Sequence, residues 1–342
     1  MKTLCFYSRD LKPTGIRVIF ENIQKKFPSV DIPMIDNIDE AMNYDIILPY
    51  GLLEPIDVMK RDKSKCQLSL MVDAISLIDL SQYHYFKGKK ILSFKDRNID
   101  YLRYIQDRFL EKLVFNRYKR VMLVSYSDKS YFDRIIGKNA SNKIMVIQNG
   151  VNLPSVSKAE RIKDGKIILG FLSSWNSGIV GREKRCFLEY VWKNVVKMNP
   201  NIELRICGRG MNQFQKDYFG KYENIKCIGE VKDLKEYFDQ IDINLMIMPK
   251  HAGILNKMLD GFAYKCPTIG EPHNFWAFKD IPDCFYTYTD AESLIKAIDE
   301  IISKPEEASM KVDLLYNYVK EYHNWDENYN SLKNYILELL RD

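Results

Sequence analysis

Short runs of wholly apolar residues recur along this chain, and each is followed by a longer stretch whose apolar residues return at three- and four-residue spacing. A run apolar at every position is a strand buried on both faces, and a helical return between two strands makes them parallel. The alternation therefore predicts an α/β chain of parallel sheets covered by helices. Strands are expected at residues 3–7, 45–49, 67–72, 121–125 and 143–147. A second series follows at 166–172, 203–207, 225–228, 243–246, 267–269 and near 284–288. Helical periodicity is clearest over 15–26, 98–115, 186–198 and 321–342.

A length of 342 residues suits two domains better than one core. The two strand series are separated by residues 152–165, which are polar and without period and read as a linker. We place the boundary near 160, with a first Rossmann-like domain over 1–160, a second over 161–325, and a terminal helix over 326–342 able to pack back on the first. Open parallel sheets bind ligands beyond the carboxyl ends of their strands, so two such sheets facing each other make a cleft, and chemistry is expected there.

Composition excludes several classes. No stretch approaches the roughly 18 apolar residues of a spanning helix, and the start of the chain lacks the apolar core and cleavage site of a secretory signal, so a cytoplasmic location is expected. The seven cysteines are scattered and never spaced Cys-x-x-Cys, and the four histidines show no ligand spacing, so neither zinc nor any other metal is implied. The net charge of +5 is small, yet residues 87–120 hold eleven Lys or Arg against four acids, with Phe94, Tyr101, Tyr104, Phe109 and Phe115 interleaved. That composition fits either a solvated helix or contact with an anionic membrane surface. No nucleic-acid motif accompanies it.

The most informative segment runs from His251 to Gly270. A turn containing Gly253 follows a strand and leads into an amphipathic helix, which leaves unpaired N–H groups of Gly253, Ile254, Leu255 and Asn256 at the positive end of a helix dipole. Lys257 in the first turn adds a charge, and Asp260, three residues on, shares its face and can accept from ribose hydroxyls. A nucleotide diphosphate fits this set.

The run Gly253, Asn256, Lys257, Leu259, Asp260, Ala263, Pro267, Ile269 resembles the nucleotide-sugar helix of the family 4-like glycosyltransferases. Two departures stand out: Asp260 replaces a Glu, and Ala252 stands where many members carry the first Glu of a Glu-x7-Glu pair. The resemblance continues through a strand and Gly-x-Gly turn at 202–210 and a strand and Gly-x-Val turn at 224–231. It is looser in the first half, where it touches Thr14-Gly15, residues 121–132 and Asn149-Gly150, a structural turn that tolerates positive φ. It implies a GT-B fold, two Rossmann-like domains facing across a cleft, and a retaining, metal-independent transfer from a nucleotide diphosphate sugar. No cofactor is implied. The partners would be that donor and a glycan or lipid-linked acceptor of surface-polysaccharide synthesis. Gly229, Glu230 and Val231 would meet the base, Arg182, Lys184 and Arg185 the diphosphate, Gly15 the phosphate from the opposite side, and His251 the donor. Asp73, at a strand end, is the catalytic or acceptor-side candidate, with Lys257 and Arg182 stabilising the leaving group. Two other readings remain on the same architecture: an idle protein that binds nucleotide or a partner subunit, and a nucleotide-sugar 2-epimerase.

Overall fold

The structure, a computed structural model, describes residues 2–11, 14–137, 142–154, 165–248 and 252–341. The expected boundary at 160 lies outside them.

The first sheet system contains β1 (Leu4–Tyr7), β2 (Met34–Ile35), β3 (Ile46–Pro49), β4 (Leu68–Val72), β5 (Arg120–Leu123) and β6 (Ile144–Val146). Its two triplets, β2-β1-β3 and β4-β5-β6, are parallel throughout and are joined by a parallel bridge between Tyr50 and Leu70. Strands β1, β3 and β4 are buried at every residue, which is why they read as continuous apolar runs. Strand β2 was not expected, because two residues carry no period. The intervening helices are α1 (Thr14–Lys26), α2 (Ile38–Ala41), α3 (Leu53–Arg61), α4 (Ile75–Phe86), α5 (Phe94–Arg117) and α6 (Tyr126–Ile135).

The second sheet holds β7 (Ile167–Leu172), β8 (Ile202–Cys207), β9 (Ile225–Gly229), β10 (Ile243–Leu245), β11 (Thr268–Gly270) and β12 (Tyr286–Thr287), all parallel. Its order, β12-β11-β10-β7-β8-β9, reverses direction between β7 and β10. A crevice opens beyond the carboxyl ends of strands at such a reversal. The helices here are α7 (Arg182–Phe187), α8 (Lys193–Met198), α9 (Gln213–Phe219), α10 (Leu234–Asp239), α11 (Asn256–Ala263), α12 (Ala291–Ser303) and α13 (Pro305–Tyr322). A π-helical turn, Leu188–Trp192, links α7 to α8 inside the stretch expected as one helix.

The continuous helix expected over 321–342 is interrupted. After α13 the chain leaves helical geometry at His323, forms the short α14 (Trp325–Asn328) and resumes as α15 (Asn330–Arg341). The cause is tertiary: the Val151 N–H donates to the His323 carbonyl at 2.8 Å, and the His323 ring meets the Asn149 carbonyl at 2.7 Å. Beyond this point Tyr329, Leu332, Ile336 and Leu339 enter the apolar cluster of Leu4, Phe6 and Ile19, so α15 covers the first sheet. Gly150 does not use the positive φ that its turn tolerates. Glycine is required there by close approach, since a Cβ would lie 2.5 Å from the backbone N and Cγ of Trp325.

Candidate active site at the carboxyl ends of β7 and β10

The sheet reversal brings together two segments, the loop after β7 and the start of α11. Leu255 at the N-cap of α11 supplies no side-chain cap, so the first-turn N–H groups keep the partial positive charge of a helix start. Burial pushes the Lys257 ammonium down to about 8, helped by the like charge of Lys184 and opposed by Asp260. Burial pushes the Asp260 carboxyl up to about 7, with Lys257 pulling it back. A second cation, Lys184 from the loop after β7, thus acts electrostatically on the lysine in the first turn of an uncapped helix.

Lys184 is held from behind. Its Nζ lies 2.5 Å from Glu183 Oε1, 5.3 Å from the ring centre of Trp175 and 5.8 Å from that of Phe171. Although burial pushes the Glu183 carboxyl up, Lys184 and Arg182 outweigh it and hold the group ionised. Trp175 is fixed in turn by donating to the Cys207 carbonyl at 3.0 Å. The Gly-x-Gly turn after β8 makes this packing possible: a Cβ on Gly208 would sit 1.6 Å from the Ser173 carbonyl oxygen.

In the same sheet, Glu230 and Val231 line a cavity of about 200 Å³ with Arg205, Cys207, Tyr237 and Ile241. Gly229 ends the strand at its edge and accepts from the Gly208 N–H at 2.7 Å. The Tyr237 hydroxyl is buried without a hydrogen-bond partner. Burial pushes its phenol well up, with Cys207, Cys266 and Asp260 adding to the effect.

Across the cleft, the Gly253 N–H donates to both oxygens of Asp128 at 3.2 and 3.1 Å. Asp128 belongs to α6, is fully buried, and also accepts from the Ala74 N–H at 3.4 Å. Ala252 is 2% exposed and packs in the first system's cluster with Met71, Ala74 and Tyr131. A glutamate at 252 would bury a charge there, which accounts for the small residue. Nearby, Ser76 donates from its N–H and Oγ to Glu111, whose carboxyl burial pushes up to about 8, so it is protonated at neutral pH.

The remaining expected residues are distributed as follows. Asp73 ends β4, half-buried, directly after Val72, whose φ of 71° is strained for a β-branched residue. Asn256 accepts from the Asn149 side chain at 2.8 Å, a further link between the two systems. Ile254 is buried and Leu255 half-buried at the helix start. A side chain at Gly15, in the first turn of α1, would meet nothing within 4 Å. Arg185 is half-buried with its Nε unpaired. His251 lies outside the described residues. Arg182, expected at the diphosphate, instead grips the opposite half: its two terminal nitrogens each lie 2.9 Å from Asp100 on α5, one of them 2.5 Å from the Asp96 carbonyl, with Phe86 beneath at 4.5 Å.

Sequence reasoning missed Asp128, Tyr237 and Glu271. Asp128 is concealed by the Ser125-x-x-Asp128 pattern of an ordinary helix cap, which it also is, its N–H donating to Ser125 Oγ at 3.1 Å. Glu271 immediately follows β11, and burial pushes its carboxyl up to about 7 while Lys89 from the first half pulls it back. Its position just past a strand's carboxyl end was the available signal.

Two Rossmann-like sheets facing across a cleft define the GT-B architecture, and this chain has it. Residues 168–304, which span the second sheet, match the family described as Glycosyl transferases group 1. Among solved structures, sucrose-phosphate synthase from Thermosynechococcus elongatus aligns over 100% of both chains at a TM-score of 0.74 and 13% identity. Anabaena HepE in complex with UDP and glucose aligns over 98% of this chain and 99% of its own, at 0.70 and 12%. A glycosyltransferase from Rickettsia africae aligns over 100% and 99%, at 0.62 and 15%. No curated protein matches the sequence.

Proposed function

We propose that this protein is a retaining, metal-independent glycosyltransferase that moves a sugar from a nucleotide diphosphate donor to a glycan or lipid-linked acceptor in surface-polysaccharide synthesis. The observation that carries the reading is Lys257 in the first turn of the uncapped α11, under the like charge of Lys184. The like charge of Lys184 lowers the Lys257 ammonium beyond what burial does, and a diphosphate bound at Lys257 offsets both effects while the uncapped start of α11 donates to its oxygens. As the glycosidic bond breaks, negative charge grows on the departing phosphate, and preorganised positive groups stabilise that state more than the ground state. Asp260 would hold the ribose, and the cavity at Glu230 and Val231 the base. Asp73, at the facing strand end, would orient the acceptor.

Structural relatives in complex with UDP and with UDP-glucose make uridine donors the first to try. The test is calorimetric titration with UDP-, GDP-, ADP- and CMP-linked sugars against the native protein, Lys257→Ala and Asp260→Ala. One nucleotide should bind the native protein and lose at least tenfold in affinity in both variants. If no nucleotide binds, the reading fails.

One observation favours an alternative, an idle protein that binds nucleotide or a partner subunit. Asp128 already occupies the Gly253 N–H, and Ala252 replaces an acid at the donor-sugar position. Nucleotide binding without transfer or hydrolysis of any donor would select it.

A further inference from the structure

Helix α5 carries an apolar stripe that is exposed among the described residues. Phe94, Tyr101, Leu102, Ile105 and Phe109 are 76, 44, 68, 52 and 61% exposed, and Ile91, just before the helix, is 40% exposed. Positions 94, 101, 105 and 109 recur at helical spacing, so they form one face running about 22 Å along the axis. Exposed apolar residues elsewhere are more scattered, the pair Met310 and Leu314 on α13 being at helical spacing.

The charges of this helix are sorted by side. All four of its acids turn toward the protein: Asp100 and Glu111 are fully buried, and Asp96 and Asp107 half-buried. Asp100 is neutralised by Arg182, and Glu111, pushed up by burial, is uncharged at neutral pH. The exposed face keeps only cations, with Lys95 and Arg103 on the helix and Lys87 and Lys90 in the turn leading to it. No described helix is long and apolar enough to cross a membrane. An apolar stripe with a cationic border and no exposed acid is the composition of a helix that lies in the plane of a lipid interface.

We propose that the exposed face of α5 docks the protein on an anionic phospholipid surface, with Phe94, Leu102, Ile105 and Phe109 entering the headgroup boundary and Lys87, Lys90, Lys95 and Arg103 meeting lipid phosphates. The Arg182 grip on Asp100 ties this helix directly to the segment that carries Lys184, so docking sets the cleft at a fixed height above the lipid. A lipid-linked acceptor would then reach the cleft without leaving the bilayer. That last consequence rests on the glycosyl-transfer reading, whereas the docking itself does not.

The experiment is co-sedimentation of the full chain with phosphatidylglycerol–phosphatidylcholine vesicles and with pure phosphatidylcholine vesicles, without nucleotide. The native protein should pellet with the anionic vesicles, less so as salt rises, and far less with the neutral ones. Ile105→Glu with Phe109→Glu should reduce partitioning by roughly tenfold or more, and Lys90→Glu with Lys95→Glu should weaken it on anionic vesicles alone. Both pairs are exposed and away from the donor site, so melting temperature and nucleotide affinity should match the native values. Absence of binding to anionic vesicles, or native-like binding by the Ile105→Glu, Phe109→Glu protein, overturns the proposal. So does a dimer, seen by sedimentation velocity without lipid, that those glutamates dissociate, since the stripe would then be covered by a second copy. Loss of vesicle binding with intact nucleotide binding separates this inference from the functional reading.

Discussion

The backbone N–H of Gly253 donates to both carboxylate oxygens of Asp128, from the loop before α11 to a helix of the opposite sheet system. A carboxylate from the protein thus holds the N–H that precedes the anion site. Asp128→Ala would leave the buried N–H groups of Gly253 and Ala74 without an acceptor, at about 1–3 kcal/mol of stability. Asp128→Asn keeps one oxygen and should lose less. Urea denaturation checks this, and an unchanged midpoint for the alanine variant would show that the contact does not persist in solution.

Donor affinity should depend on pH through Lys257. With its ammonium pushed down to about 8 in the free protein, Lys257 loses its proton as pH rises past that value. A bound diphosphate holds the proton on, so the complex binds more protons than the free protein above pH 8, and affinity falls there by up to about tenfold per unit. Calorimetry between pH 7 and 9.5 should give this slope for the native protein and a flatter one for Lys257→Ala.

Arg182 and Asp100 should be strongly coupled. Removing the guanidinium alone leaves a fully buried carboxylate to Arg103, 3.8 Å away, a change of up to about 3–5 kcal/mol in the general case. Arg182→Lys should rescue little, since an ammonium cannot span both oxygens. Asp100→Asn combined with Arg182→Ala should recover much of the loss, and a double-mutant cycle by denaturation measures it. Additive effects would mean the pair is not formed.

His323 should contribute an acid-sensitive term. Burial pushes its imidazole down to about 4, and its Nδ1–H donates to the Asn149 carbonyl while Nε2 has no partner. The unfolded chain takes up a proton near 6.5 and the folded one does not, so this stability is complete above 6.5 and is lost as pH falls from there to 4. The full span is on the order of 3 kcal/mol. Stability of His323→Asn should fall less steeply over that window than that of the native protein.

The strands of both sheets were readable because a parallel strand buried on two faces is apolar at each position, as β4 is from Leu68 to Val72. The turn and helix at 253–260 were readable for a different reason: Gly253, Lys257 and Asp260 lie within eight consecutive residues, so their spacing already constrains their relation. Contacts made across the cleft were not. Nothing local tells Arg182 that its target is Asp100, 82 residues away, or marks Asp128 as anything but a cap. The break at His323 is likewise imposed by Asn149 and Val151, while the helical period of the local sequence continues through it.

The return of α15 to the first sheet has a consequence for the order in which the protein is made. Residues 1–150 leave the ribosome first, yet Leu332, Ile336 and Leu339, which seal the cluster around Leu4 and Phe6, follow roughly 180 residues later. At about 5–20 residues per second, that is a delay on the order of ten to forty seconds. During this interval the earliest part of the chain stands with one side of its core open to water, while the later sheet already has all its strands. The half that is translated first is therefore the half that is finished last.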